Sequence, residues 1–212
     1  MIDDAATVRG QDAPAGDGPL ALLLHGYGAN EHDLVGLGLR PGWAWASLRA
    51  PLTLGPGAHA WFPLTTPGRP DPAHVSAVTD VLLTWVDESV DPRVHVVLIG
   101  FSQGGLMASQ LVRARPDRFA AAAVLAGFVH QDEQPGDARL TELRPPVYYG
   151  RGDADGVITA EAVARTEAWL PRFTAVERHV YAGLGHAIGR AMATDLAAFL
   201  ATAPVPRTPL SL

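Results

Sequence analysis

The fold of this chain is decided by residues 94–99, VHVVLI, and by the residues that follow them, 100–105, GFSQGG. The first segment is a mostly apolar, β-branched run that is typical of a buried strand, and residues 103–115 favour a helix that ends at Pro116. A G-x-S-x-G pattern between a strand and a helix is typical of a tight turn that lifts a serine hydroxyl above the edge of a sheet. We therefore predict that Ser102 is a nucleophile.

Apolar runs alternate with helical patterns along the rest of the chain. The predicted strands cover residues 20–24, 44–50, 94–99, 120–126, 146–150 and 175–181. Helices are predicted over residues 31–38, 74–90 and 103–115, from Thr159 onward, and around the apolar positions between Ile188 and Leu200. Because strands and helices that alternate in this way form a mostly parallel sheet with helices on both faces, the predicted fold class is α/β.

The remaining segments are predicted to be loops within one domain. Residues 51–73 are rich in proline and glycine, and residues 127–145 are polar and contain proline, so both are expected to be irregular. No linker divides the chain, and residues 1–212 are therefore expected to form a single domain. Residues 1–18 and 203–212 are expected to be loosely ordered.

Composition excludes several classes of function. The chain has 212 residues, with 16 basic and 22 acidic side chains and a net charge of −6, and it contains no cysteine. An acidic chain offers no basic patch for nucleic acid or an anionic membrane, and without cysteine it has neither disulfides nor a thiolate nucleophile. The Ala-rich uncharged run at residues 119–129 is too short to span a bilayer, and residues 1–18 do not resemble a signal peptide. We expect a cytoplasmic protein with no membrane insertion, either a monomer or a homodimer.

A serine hydroxyl needs a general base to become an effective nucleophile, and His186 is the best placed of the eight histidines. It lies in Gly183-Leu184-Gly185-His186, between the last predicted strand and the last helix, where the chain order Ser…Asp…His places the base. The acid is expected after the preceding strand, where the sequence offers both Asp153 and Asp155. Spacing alone does not choose between these two carboxylates.

An oxyanion produced by attack of Ser102 needs hydrogen-bond donors. One backbone N–H is expected from Gln103, directly after the nucleophile, and another from the loop after the first strong strand, where Tyr27 lies between two glycines. His25 in the same loop is expected to pack and form hydrogen bonds rather than to catalyse.

Five segments together resemble the phospholipase/carboxylesterase family of α/β-hydrolases, which includes acyl-protein thioesterases and small bacterial carboxylesterases. These segments are LLLHGYG at 22–28, RAP at 49–51 with Trp61-Phe62, GFSQGG at 100–105, GDADGVI at 152–158 and GLGH at 183–186. The resemblance extends over about residues 20–200, with every motif in order, and it implies an α/β-hydrolase fold without a large cap domain.

Matched position by position, the resemblance implies that Ser102 is the nucleophile, His186 the base and Asp155, rather than Asp153, the acid. It also implies that Tyr27 and Gln103 supply the oxyanion hole, and that neither a cofactor nor a metal ion is needed. Two positions depart from the family pattern. Arg151 replaces the usual histidine and Gly156 the usual proline.

The expected activity is hydrolysis of small-molecule carboxylic esters with small to medium acyl chains through an acyl-enzyme intermediate. Trp61 and Phe62 are expected to bind the acyl chain, and the alternative is that one or both rings fill the core beneath the loop. The same residues would serve an acyl-thioesterase or a lysophospholipase. A non-catalytic ligand-binding module of the same fold is a further alternative, and it predicts that Ser102 is unreactive.

Overall fold

A computed structural model describes residues 1–10, 19–37, 39 and 43–202. The strands of this part of the chain are β1 (Val8–Arg9), β2 (Leu20–Leu24), β3 (Ala44–Leu48), β4 (Leu52–Gly55), β5 (Ala58–Ala60), β6 (Val96–Phe101), β7 (Phe119–Leu125), β8 (Pro146–Gly152) and β9 (Ala175–Tyr181). The helices are α1 (Pro72–Ser89), α2 (Gln103–Ala114), α3 (Asp137–Leu143), α4 (Ala160–Phe173) and α5 (Arg190–Thr202).

Seven of these strands form one sheet in the order β1-β3-β2-β6-β7-β8-β9. All neighbouring pairs are parallel except β1 and β3, which are antiparallel at the edge of the sheet. The predicted mostly parallel sheet is therefore confirmed. Because β6, β8 and β9 run in the same direction, the segments that follow them emerge at the same edge of the sheet.

The buried strands place alternate side chains on opposite faces, as the pleat requires. In β2, Leu22 and Leu24 pack into a core with α1, α2 and α4, whereas Ala21 and Leu23 pack into a second core with α5. Helices thus cover both faces of the sheet. In the described residues, the connections between sheet strands contain single helices, turns and the hairpin β4–β5, and none forms a large cap domain.

Helix α1 begins and packs as its sequence predicts. Asp71 accepts a hydrogen bond from the backbone N–H of Ala73, and Pro72 follows it at the first helical position, which is a favourable start. The predicted apolar positions, including Val78 and Leu82, are buried. No helix in the described part of the chain has the length and apolar character needed to cross a bilayer.

Three local predictions were wrong. Residues 31–37 form turns instead of a helix, which fits the low helix propensity of Gly36, and residue 38 lies outside the described residues. The predicted loop 51–73 contains the hairpin β4–β5 and the start of α1. The predicted loop 127–145 contains α3, which the buried side chains of Asp137 and Leu140 hold against the protein.

The first ten of residues 1–18, which were expected to be loosely ordered, contain regular structure. Residues Asp4–Ala6 form a short 3₁₀ helix, Ile2 is buried, and Val8 pairs with Ser47 of β3. Residues 11–18 and 203–212, on which the same expectation falls, lie outside the described residues.

Candidate active site

Ser102 occupies the turn between β6 and α2 in a strained conformation, with φ 54° and ψ −115°. Its backbone N–H donates to the carbonyl of Leu125 at 2.8 Å, which ties the turn to the neighbouring strand β7. A Cβ at Gly100 would collide with the carbonyl of Gly104, and one at Gly104 would collide with the carbonyl of Leu24. Glycine at both positions therefore allows the close backbone approach on which this turn depends.

The structure brings His186 against this serine. The His186 Nε2 atom lies 2.8 Å from Ser102 Oγ, although 84 residues separate the two in sequence. The ring of Phe101 packs against the imidazole with 5.0 Å between ring centroids. His186 follows β9 and Ser102 follows β6, so the shared edge of the parallel sheet accounts for their meeting.

Asp155 lies on the other side of the imidazole. Its Oδ2 atom is 2.8 Å from His186 Nδ1, and its Oδ1 atom accepts hydrogen bonds from the backbone N–H groups of Val157 at 2.9 Å and Ile158 at 3.2 Å. The carboxylate is therefore held in place by the loop that follows it. In this arrangement Nδ1 carries the proton that it donates to Asp155, which leaves Nε2 free to accept a proton from the serine.

Asp153, the alternative carboxylate, has a different partner. Its Oδ1 atom accepts a hydrogen bond of 2.7 Å from the backbone N–H of Gly183, at the start of the loop that carries His186. Gly152 brings the two loops together, since a Cβ there would collide with the carbonyl of Leu184. Asp153 thus supports the position of the histidine loop, and Asp155 contacts the imidazole itself.

The two predicted oxyanion donors lie next to the nucleophile and line the same cavity. Within the described residues, the backbone N–H groups of Tyr27 and Gln103 donate to no protein acceptor. Tyr27 precedes Gly28, whose φ of +79° is a conformation that glycine adopts without strain. The first turn of α2 places its positive end near Ser102.

The hairpin β4–β5 and the two residues that follow it hold the Tyr27 loop and Gln103 in place. No local sequence pattern predicts these contacts. The backbone of His59 exchanges hydrogen bonds of 2.8 Å with Gly28 and Ala29 in the Tyr27 loop. The side chain of Gln103 accepts from the backbone N–H of Trp61 at 2.8 Å and donates to the carbonyl of Phe62 at 2.7 Å. The amide side chain of Gln103 was the available signal, because a buried Gln requires polar partners.

His25 has a structural role, as expected. Its Nδ1 atom lies 2.7 Å from the carbonyl of Gly26, and its Nε2 atom accepts from the backbone N–H of Ala50 at 3.1 Å. Burial lowers the pKa of this imidazole. His25 therefore connects the Tyr27 loop to the residues that follow β3.

An apolar cavity of about 510 Å³ opens at Ser102 and His186. Its walls include Phe62, Leu64, Pro67, Phe128, Val157 and Ile158, and among the described residues the only ionisable groups in its lining are His186 and the phenol of Tyr27. Such walls suit an uncharged hydrocarbon chain, because a charged group would lose its hydration without gaining a partner.

The two aromatic residues predicted to bind the acyl chain lie in different environments. Phe62 lines the cavity. Trp61 is absent from the described lining, and its ring packs at 5.3 Å from that of His25 while its Nε1 donates to the carbonyl of His25 at 2.8 Å. This position favours the alternative that the Trp61 ring fills the core beneath the loop, because its indole N–H finds its partner there.

The two departures from the family pattern leave the Asp155–His186 contact intact. Arg151 forms an ion pair with Glu167 at 3.0 Å instead of approaching Asp155. Gly156 has open space around its Cα. No group of three His, Asp or Glu side chains in the described ranges is arranged to hold a metal ion.

Comparisons with known proteins identify the family of this chain. The sequence pattern of the Phospholipase/Carboxylesterase family matches residues 7–203. NocK of Nocardia uniformis subsp. tsuyamanensis, whose name assigns it to the esterases, is 37% identical over 159 residues, which are 68% of this chain and 44% of that protein. A protein of Oryza sativa subsp. japonica, named among the carboxylesterases, is 26% identical over 161 residues, 70% of this chain and 60% of that one. The chain thus spans less than two thirds of either relative.

Solved structures share the fold. The carboxylesterase of Bacillus cereus superposes with a TM-score of 0.82 at 21% identity, covering 96% of this chain and 95% of that one. The carboxylesterase of Mesorhizobium loti gives a TM-score of 0.73 at 24% identity, covering 87% and 88%. Since the family pattern extends over nearly the whole chain and the fold agrees with it, the chain belongs to the phospholipase/carboxylesterase family of α/β-hydrolases.

Proposed function

We propose that this protein hydrolyses carboxylic esters through an acyl-enzyme formed on Ser102. The observation that carries the proposal is the chain of contacts Ser102 Oγ–His186 Nε2 and His186 Nδ1–Asp155 Oδ2, each 2.8 Å long, at the mouth of an apolar cavity. A hydroxyl, an imidazole and a carboxylate in this order can generate a nucleophile at neutral pH without any other group.

In the first half of the reaction, Ser102 Oγ attacks the ester carbonyl while its proton passes to His186 Nε2. The carbonyl oxygen becomes negatively charged and accepts hydrogen bonds from the N–H groups of Tyr27 and Gln103. Asp155 stabilises the imidazolium that forms. When the tetrahedral intermediate collapses, its C–O bond to the alcohol breaks and His186 returns the proton to the departing alkoxide oxygen.

In the second half, water takes the place of the alcohol. His186 Nε2 accepts a proton from the water as its oxygen attacks the acyl carbon, and the same two N–H groups bind the second oxyanion. Collapse breaks the bond to Ser102 Oγ, which recovers the proton from His186. The products are a carboxylic acid and an alcohol, and the enzyme returns to its starting state.

The acyl chain is proposed to occupy the cavity beyond Ser102. Its Phe62 and Phe128 walls and its volume of about 510 Å³ suit small to medium chains. A thioester or a lysophospholipid presents the same acyl carbonyl, so an acyl thioester and a lysophospholipid belong in the substrate panel beside p-nitrophenyl esters of increasing length.

The test is the Ser102→Ala variant, assayed with p-nitrophenyl butyrate and with a fluorophosphonate probe that labels activated serines. We expect loss of both turnover and labelling in an otherwise folded protein. Ser109→Ala is the matched control, because Ser109 lies on α2 too but its hydroxyl is buried and bonds to the Leu106 carbonyl. Residual turnover of Ser102→Ala within about tenfold of wild type, a difference of only about 1.4 kcal/mol, would refute the proposal.

An unlabelled and inactive wild-type protein would instead favour a non-catalytic binding module.

A further inference from the structure

The side chain of Arg165, on α4, reaches both walls of the acyl cavity. Its terminal nitrogen NH2 donates to the carbonyl of Gly68 at 2.7 Å, and its Nε donates to the carbonyl of Val129 at 3.0 Å. Gly68 lines the cavity on one side, and Phe128, the neighbour of Val129, lines it on the other. One guanidinium therefore links two loops that lie far apart in sequence.

The Phe128 wall is fixed to α4 at several points. Besides the bond from Arg165 to its carbonyl, Val129 donates its backbone N–H to Thr166 Oγ1 at 3.0 Å, and Thr166 is fully buried. The guanidinium carbon of Arg165 lies 6.0 Å from the centroid of the Phe128 ring. The backbone of Val129 is thus held at both its N–H and its C=O by consecutive residues of one helix.

The opposite wall rests on the first turn of the same helix. Gly68 has φ +69°, and a Cβ there would collide with Thr159 Oγ1 and approach the Cβ of Ala162 to 3.2 Å. The next residue, Arg69, forms an ion pair with Glu161 at the surface. Since both Arg69 and Glu161 are more than half exposed, this pair contributes little, and the bond from Arg165 to Gly68 is the better-shielded attachment.

The charge of Arg165 is not neutralised by a direct ion pair. Within the described ranges, no carboxylate lies within ion-pair distance of its guanidinium, and both of its hydrogen bonds go to backbone carbonyls. Burial lowers the pKa of this side chain, but arginine stays protonated under all ordinary conditions. A partly buried cation is costly without strong partners, so the two carbonyls are what stabilise it.

We propose that Arg165 is a positioning residue that fixes the separation of the Gly68 and Phe128 walls and thereby determines the preference for acyl-chain length. The proposal rests on the ester hydrolysis proposed above. Arg165 touches neither the reacting carbonyl nor the catalytic groups. Its removal should therefore affect substrates whose chains reach the walls and spare an acetyl group, which ends beside Ser102.

The test compares p-nitrophenyl octanoate with p-nitrophenyl acetate for Arg165→Met, which keeps most of the apolar stem but removes the donors. We expect kcat/KM for the octanoate to fall by about tenfold, mainly through KM, as for the loss of one charged hydrogen bond. For the acetate we expect a change of less than about twofold, because its acyl group makes no contact with these walls. Arg165→Lys, which can donate to one carbonyl at a time, should show an intermediate loss.

Arg172→Met is the matched control. Arg172 lies two turns further along α4, and its guanidinium packs over Phe173 at 4.9 Å, away from the cavity lining. This variant should keep the wild-type ratio of octanoate to acetate turnover. Because arginine at position 165 also contributes to packing, thermal unfolding of each variant is measured in parallel, and Arg165→Lys supplies the ratio if Arg165→Met does not fold.

The proposal is overturned if the ratio of octanoate to acetate kcat/KM in the Arg165 variants rises or stays within about twofold of the wild-type ratio. It is also overturned if the variants lose the same fraction of activity with both esters. Those outcomes would appear in an enzyme that still hydrolyses acetate through Ser102. Failure of the proposed function would look different, since the wild-type protein itself would be inactive or Ser102→Ala would stay active.

Discussion

The nucleophile turn, residues 100–105, and the walls of the acyl cavity are fixed in different ways. The turn is defined by a strand, two indispensable glycines and a helix that are adjacent in sequence. The walls are loops connected by side chains from elsewhere, such as the bond from Arg165 to Gly68 across 97 residues and that from Gln103 to Phe62 across 41. The difference teaches that local sequence encodes the nucleophile turn, whereas contacts between distant residues position the loops that form the cavity walls.

Substitutions of Asp153 and Asp155 give the sharpest test of the catalytic residues. Asp155→Asn should lower kcat by about 10⁴-fold, because an amide leaves the imidazole in the wrong tautomer for accepting the serine proton. Asp153→Asn should cost far less, since the side chain of Asp153 bonds to the backbone of Gly183 and not to His186. Steady-state kinetics with p-nitrophenyl butyrate measures both effects, and the opposite ranking would move the acid to Asp153.

Substitutions of Trp61 and Phe62 test whether these rings form the wall of the acyl cavity. Phe62→Ala should lower kcat/KM for octanoyl esters more than for acetyl esters, by about 0.8 kcal/mol for each methylene contact that is lost. Trp61→Ala should mainly lower stability, by about 3–5 kcal/mol as is usual for a buried aromatic residue, and leave the chain-length profile nearly unchanged. Both variants are assayed across a series of p-nitrophenyl esters and by thermal unfolding.

An unchanged profile in Phe62→Ala would show that this ring is structural too.

Much of the fold could be predicted from the sequence because parallel strands buried on both faces are apolar and short. All six predicted strands lie within two residues of the observed ones at each end. The edge strand β1 and the helix α3 could not be predicted in this way. α3 depends on the buried ion pair between Arg113 and Asp137, with bonds of 2.8 and 2.7 Å, and no local pattern encodes a contact between those two positions.

Some residues of the candidate site could be predicted from the sequence and others could not. His186 was predicted as the partner of Ser102 from the chain order Ser…Asp…His, and the two residues meet because β6 and β9 end at the same edge of the sheet. Spacing left Asp153 and Asp155 open because the choice depends on which carboxylate the loop turns toward the imidazole. The Gln103 amide signals only that polar partners are needed. The partners of Gln103 and Arg165 could not be predicted because they are backbone groups, which leave no trace in the sequence.

A contact between residues distant in sequence also supports the Tyr27 loop, and its expected effect is on stability. Glu31 follows this loop and forms a two-point ion pair with Arg49 beyond the end of β3, one of whose bonds is 2.8 Å. The hydrogen bonds from Arg49 lower the pKa of Glu31 from its ordinary 4.5 to about 2. Because the folded-state pKa is depressed, this stabilisation is present above about pH 4.5 and is lost as the pH falls toward 2.

Glu31→Gln should therefore lower the free energy of unfolding at pH 7 by about 1.5–3 kcal/mol, the range for a charged hydrogen-bonded pair. The difference from wild type should shrink as the pH falls through the window below 4.5, where wild-type Glu31 itself becomes protonated. Glu142→Gln is the control, because Glu142 pairs with Arg139 at the surface and should contribute less than about 1 kcal/mol. Urea unfolding at several pH values measures both variants, and equal losses in the two would show that the Glu31–Arg49 pair is no more stabilising than a surface contact.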